Sequence, residues 1–172
     1  MATFGTTDIT GSINGGLAGY MIATKYTLTE AGFVNKISVY SNASGNCKAA
    51  IYTDVAGNPT ARLSVNNTST PVNGGQFNDI EIPDIYLLAG TYWLAVLDDA
   101  IDMRRAVAST SNKAAYNNIT FATGCPDPFP AISFQDYDYC MYGTYTNHKG
   151  APGNIGRHFS VGNGMSRSGR AN

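Results

Sequence analysis

Charge is scarce in this chain, and so are the residues that most often carry chemistry: 172 residues include three cysteines, two histidines and one tryptophan. A formal net charge of −1, with 13% of residues charged, provides no overall field to steer nucleic acid or a membrane surface, and neither is expected as a partner. Cys47, Cys125 and Cys140 form no CxxC pair and have no histidine at zinc-ligand spacing, so they read as buried free thiols and no metal is expected from them. Both histidines, His148 and His158, lie in the glycine-rich C-terminal stretch, away from any strand that could hold a general base rigidly. "GMSRSG" does not match the nucleophile elbow, and "GAPGNIGR" lacks the lysine of a phosphate loop. No catalytic residue and no cofactor are assigned. No apolar run approaches the roughly 20 residues needed to span a bilayer, and "MATFGTTDIT" has neither the cationic region nor the apolar core of a secretory leader.

A helical period is also missing, with at most one short turn expected near residues 111–116. Alternation of period two is present instead. Tyr20 to Leu28 and Phe33 to Tyr40 alternate as half-buried strands, and Cys47 to Thr53 follows, ending in the turn chemistry of "DVAGNP". "PVNGG" separates Arg62 to Thr68 from Gln76 to Ile82, and Asn73 with Gly74 suits the positive φ of a tight hairpin. Tyr92 to Leu97 carries Tyr92, Leu94 and Val96 on one face and Trp93, Ala95 and Leu97 on the other, as a central strand does. Trp93 therefore reads as core. Further strands are expected near Arg104 to Ser109, near Asn117 to Phe121 and, after the loop "CPDPFPA", from Tyr139 to Thr146. About eight strands with regular turn signals imply an all-β, antiparallel, jelly-roll-like sandwich over residues 1–146.

From residue 147 onward the character changes. Lys149, Arg157, Arg167 and Arg170 face no acid in this stretch, which leaves seven cations against twelve acids, a net −5, for the preceding body. Residues 147–172 read as an extended basic arm with too little apolar surface to offset its own ordering entropy, so it is expected to order against a neighbouring subunit. Lys149, Arg157, His158, Phe159, Arg167 and Arg170 are its candidate contact residues.

Two further sites deserve weighing. Phe129, Phe134 and Tyr137, in and just after the proline-rich loop, are candidate sugar-stacking aromatics. Asp98, Asp99 and Asp102 cluster after the central strand at a spacing that can hold Ca²⁺, but the EF-hand glycine and distal glutamate are absent and a solvated loop explains the acids equally well.

"AAIYTDVAGNP", "LLAGTYWLAVL" and the late "YCMYGTYT" together resemble β-sandwich modules of microbial surface proteins and of virion decoration and fibre proteins. The resemblance spans residues 1–146 and implies an extracellular-surface or virion setting, with assembly in a host cytoplasm in the latter case. The expected function is a non-enzymatic structural subunit, a capsid decoration or fibre-like protein. Its arm would contact other copies of itself or a major capsid or surface protein. The alternative is a carbohydrate-binding module of a surface or adhesin protein, with glycans as partners.

Overall fold

Side chains alternate across an extended backbone, and the faces on which apolar residues accumulate decide how this chain layers. A computed structural model describes residues 1–15 and 18–147. The strands are β1 (Ala2–Gly5), β2 (Ser12–Asn14), β3 (Tyr20–Leu28), β4 (Gly32–Ser41), β5 (Gly45–Val55), β6 (Asn58–Val72), β7 (Gln76–Leu87) and β8 (Gly90–Asp98). They continue with β9 (Met103–Val107), β10 (Ala114–Asn118), β11 (Ser133–Gln135), β12 (Tyr137–Tyr139) and β13 (Met141–Asn147). One sheet runs β11-β10-β3-β8-β5-β6; the other joins β1, β13, β4 and β7 and continues through β9, β2 and β12. Paired strands are antiparallel throughout. The protein is an all-β sandwich.

Among the described residues, thirteen strands replace the expected eight or so. The additional ones are mostly three to five residues long, as in β1, β2, β11 and β12, too short for alternation to register in sequence. Of the helical turn expected near residues 111–116, only residues 111–112 form a turn; Ala114, Ala115 and Tyr116 instead begin strand β10, pairing with Thr24, Ala23 and Ile22. The single 3-10 turn among the described residues falls at Phe121–Thr123. Nor does "PVNGG" close a hairpin within one sheet, since β6 and β7 belong to different sheets. Gly75, not Asn73 or Gly74, takes the positive φ of 81°, while Gly74 is small because a Cβ there would stand 2.6 Å from the Asn42 carbonyl.

β6 and β7 are edge strands, and their exposed backbone groups are partly answered by each other. Ser64 Oγ donates to the Pro83 carbonyl at 2.8 Å and Asn66 Nδ2 to the Glu81 carbonyl at 2.7 Å. Pro71 in β6 and Pro83 in β7 further deny a donor to any added strand.

Between the sheets lies the main core, where Ile22, Ile51, Leu94 and Val96 meet Ile37, Val39, Ile80 and Met141. A second core sits on the opposite face of the β3-β8-β5 sheet. Met21, Ala23, Ala50, Tyr52, Trp93, Ala95 and Leu97 point outward there and are roofed by the chain from residue 119 to residue 134. Trp93 is fully buried, as its strand pattern predicts, and its indole N–H donates to Asp54 Oδ1 at 2.7 Å. The roof is pinned by polar bonds from the sheet beneath. Tyr52 OH donates to the Pro126 carbonyl at 2.6 Å, Lys48 Nζ to the Phe121 carbonyl at 2.6 Å, and Arg62 Nη1 to the Cys125 carbonyl. In return, Phe129 N–H donates to the Thr60 carbonyl at 2.9 Å and Cys125 N–H to Asn67 Oδ1 at 2.8 Å.

All three cysteines are free and buried. Burial pushes the Cys125 and Cys140 thiols up to about 12 and the Cys47 thiol higher still, so none is a thiolate at neutral pH. Cys140 sits at the break between β12 and β13 and not within a strand.

Truncating the roof's central ring should expose this second core. Phe129→Ala is expected to cost about 3 kcal/mol in urea unfolding and to make Cys125 alkylatable under native conditions; unchanged stability with a protected thiol would show that the ring does not hold the roof.

Candidate functional site

Among the described residues two features stand out, a cavity between the sheets and an aromatic group on one outer face. The cavity, of about 310 Å³, lies where β2, β9 and β12 face β3, β10 and β11. Its walls are Tyr20, Ile22 and Tyr116 from one sheet and Asn14, Arg105 and Tyr139 from the other, with Gln135 at the β11 end. Tyr139 OH is the hub: it accepts from Asn14 Nδ2 at 3.0 Å and from Arg105 Nη1 at 3.4 Å, and donates to Gln135 Oε1 at 3.0 Å. Burial raises the pKa of this phenol, so it stays protonated and keeps its donor.

Arg105 stands apart among the basic residues. Its guanidinium carbon lies 3.8 Å from the centre of the Tyr137 ring, which fixes the plane of the fork. Its buried Nε–H has no acceptor, and no carboxylate within the described residues forms an ion pair with it. The rings of Tyr20 and Tyr116, 6.3 Å apart between centroids, add an aromatic wall.

The second feature is on the outward face of β13, β4 and β7. Tyr40 and Phe77 pair across the strands with ring centroids 5.3 Å apart, and Phe77 and Tyr142 follow at 5.1 Å. The Arg104 guanidinium lies 5.8 Å from the Tyr40 ring centre. None of Tyr40, Phe77 and Tyr142 belongs to either core. Next to them Asp79 accepts from Lys36 Nζ and Ser38 Oγ, both at 2.5 Å. Asp79, Glu81 and Asp84 are exposed along the β7 edge, which carries no basic residue.

The residues singled out in the sequence distribute unevenly over these features. Phe129 offers no ring face to a sugar, because it is buried in the second core, edge-on to Tyr52 at 5.1 Å. Phe134 packs into that core too, 6.4 Å from Trp93. Tyr137 alone of the three stands beside the cavity, under Arg105. Lys149, Arg157, His158, Phe159, Arg167 and Arg170 lie outside the described residues. Asn14, Tyr20, Arg105, Tyr116 and Gln135 were not singled out as a site. Asn14 and Tyr139 are 125 positions apart, and only strand pairing brings them together.

Nor do Asp98, Asp99 and Asp102 converge as a calcium site. Asp98 is fully buried, whereas Asp99 spends its two oxygens on Asn46, accepting from the backbone N–H at 2.7 Å and from Nδ2 at 2.8 Å. Among the described residues no three acidic, histidine or cysteine side chains are grouped to hold a metal ion. Asp98 Oδ1 accepts from Ile101 N–H at 3.2 Å, and its Oδ2 has no partner. Desolvation, reinforced by Asp99 and Asp102, pushes its pKa up to about 8. Comparison with known protein families, with curated proteins and with solved structures gives no match for this chain.

The raised Asp98 value has a consequence for stability. Between the ordinary carboxyl pKa of 3.8 and about 8, the folded state holds a proton that the unfolded state has released, so this group lowers stability as pH rises through that window. Asp98→Asn is expected to be more stable than the parent at pH 8 and above by about 1–3 kcal/mol, the cost of an unsatisfied buried group, with the advantage shrinking toward pH 4. Thermal melts across pH check this, and a constant difference between the two proteins would contradict it.

Proposed function

We propose that this protein is a non-enzymatic structural subunit of a virion or cell-surface assembly, a capsid-decoration or fibre-like sandwich whose copies contact one another or a major capsid or surface protein. One observation carries the reading: the chain roofs one outer face of its sandwich with its own loop, but leaves Tyr40, Phe77 and Tyr142 on the other outside both cores. Aromatic rings beside an arginine are the composition that protein interfaces favour. The β7 edge supplies Asp79, Glu81 and Asp84, and the segment 147–172 supplies four cations and no acid. Charge complementarity thus supports that segment of one copy lying along the β7 edge of the next. The deeply buried thiols, held protonated, offer no nucleophile in support of an enzymatic reading.

A second reading, carbohydrate binding, is favoured by the cavity. Planar amides, an arginine and tyrosine rings are the side chains that hold sugar hydroxyls and stack on sugar faces, and Asn14, Gln135, Arg105, Tyr20 and Tyr116 supply all three kinds.

Sedimentation of the full chain tests the assembly reading. The chain should self-associate; Glu81→Lys with Asp84→Lys should weaken association by about tenfold, as should Arg157→Glu with Arg167→Glu, and combining the four changes should restore much of it. A monomer at every concentration, with or without a candidate capsid protein, would defeat the proposal.

A further inference from the structure

The cavity carries an inference that rests on the carbohydrate reading and is independent of the assembly reading. We infer that it binds a carboxylate-bearing sugar, such as a uronic or sialic acid unit, through Arg105.

A guanidinium offers two donor edges, and a carboxylate matches either one with a pair of parallel hydrogen bonds. In Arg105 the Nη1 donor is engaged by Tyr139 OH at 3.4 Å, a long bond to a neutral oxygen. Its Nε–H is closed off from water and from the cavity, so a carboxylate in the cavity would meet the terminal Nη groups and not Nε. Among the described residues it forms no ion pair, as is true of every described basic side chain except Lys36, so its charge is free to answer a carboxylate from outside the chain. The ring of Tyr137 at 3.8 Å holds the fork in one plane, so little rotational freedom is lost when a carboxylate docks.

The rest of the lining fits the remainder of a pyranose. Asn14 and Gln135 each present an amide that can both donate and accept, which suits hydroxyl groups. Tyr139, protonated because burial raises its pKa, ties the two amides and the arginine into one network, so the polar groups are positioned before any ligand arrives. Tyr20, Ile22 and Tyr116 provide the apolar wall for a sugar face. A volume of about 310 Å³ is enough for one sugar unit and sits at the small end of ligand cavities. Neutral sugars would satisfy the amides but leave the arginine unanswered.

Titration of the full chain by two-dimensional NMR with glucuronic, galacturonic and N-acetylneuraminic acids, and with glucose and galactose, tests this. At least one acid should shift the amides of Asn14 and Gln135 and the backbone around Arg105 and Tyr139, and should bind about tenfold tighter than either neutral sugar. Arg105→Gln should abolish that preference. Gln135→Ala, on the short strand β11, should weaken the acid without removing the preference, and it keeps the question open to measurement if Arg105→Gln fails to fold. Equal binding of neutral and acidic sugars at the cavity would overturn the inference while leaving the carbohydrate reading intact. Absence of shifts with every sugar would overturn both, and shifts with acetate equal to those with the acids would assign the site to free carboxylates instead.

Discussion

Burial of strand β8 on both faces is the constraint from which the remaining architecture follows. Leu94 and Val96 fill the space between the sheets, whereas Trp93, Ala95 and Leu97 point away from it. Left bare, those outward side chains would be a large apolar surface in water, with the tryptophan at its centre. The chain answers by folding residues 119–134 over them and by spending Tyr52, Lys48 and Arg62 on the carbonyls of that cover. Apolar burial provides the drive and the side-chain bonds set the register.

This cover decides where interaction can occur. With one outer face closed, the aromatics available for contact are those of β4, β7 and β13, where Tyr40, Phe77 and Tyr142 form a continuous ring contact. A polar, tyrosine-lined space of ligand size lies where short strands leave the two sheets apart, between β2, β9 and β12 on one side and β3, β10 and β11 on the other. There the polar residues that would be costly in a tight core instead complete one another around Tyr139 OH. Asp98 shows the converse: a carboxyl at the end of β8 has one oxygen without a partner and remains protonated well above the ordinary carboxyl range.

Much of this was legible in the residues, and the failures have physical causes. Alternation over nine to eleven residues marks β3, β4, β5 and β8, and the apolar character of both β8 faces correctly placed Trp93 in a core. Three-residue strands carry no period, so β2, β11 and β12 were invisible, and with them three of the seven residues of the cavity wall. The aromatics in and just after "CPDPFPA" looked like a display loop because proline and aspartate mark surface turns. Phe129 and Phe134 turn inward all the same, since the sheet beneath has outward apolar residues that need them.

The sequence by itself determined an all-β chain, its long strands, its central tryptophan and the opposed charges of its body and C-terminal segment, because those properties depend on local period and composition. Only the tertiary structure decided which aromatic residues are cover and which remain available, that a carboxyl is buried beside its acidic neighbours, and that Asn14, Arg105, Gln135 and Tyr139 share one cavity. Those outcomes depend on pairing between strands far apart in the chain, and the choice among pairings is made by how completely two sheets and a loop can remove apolar surface from water together.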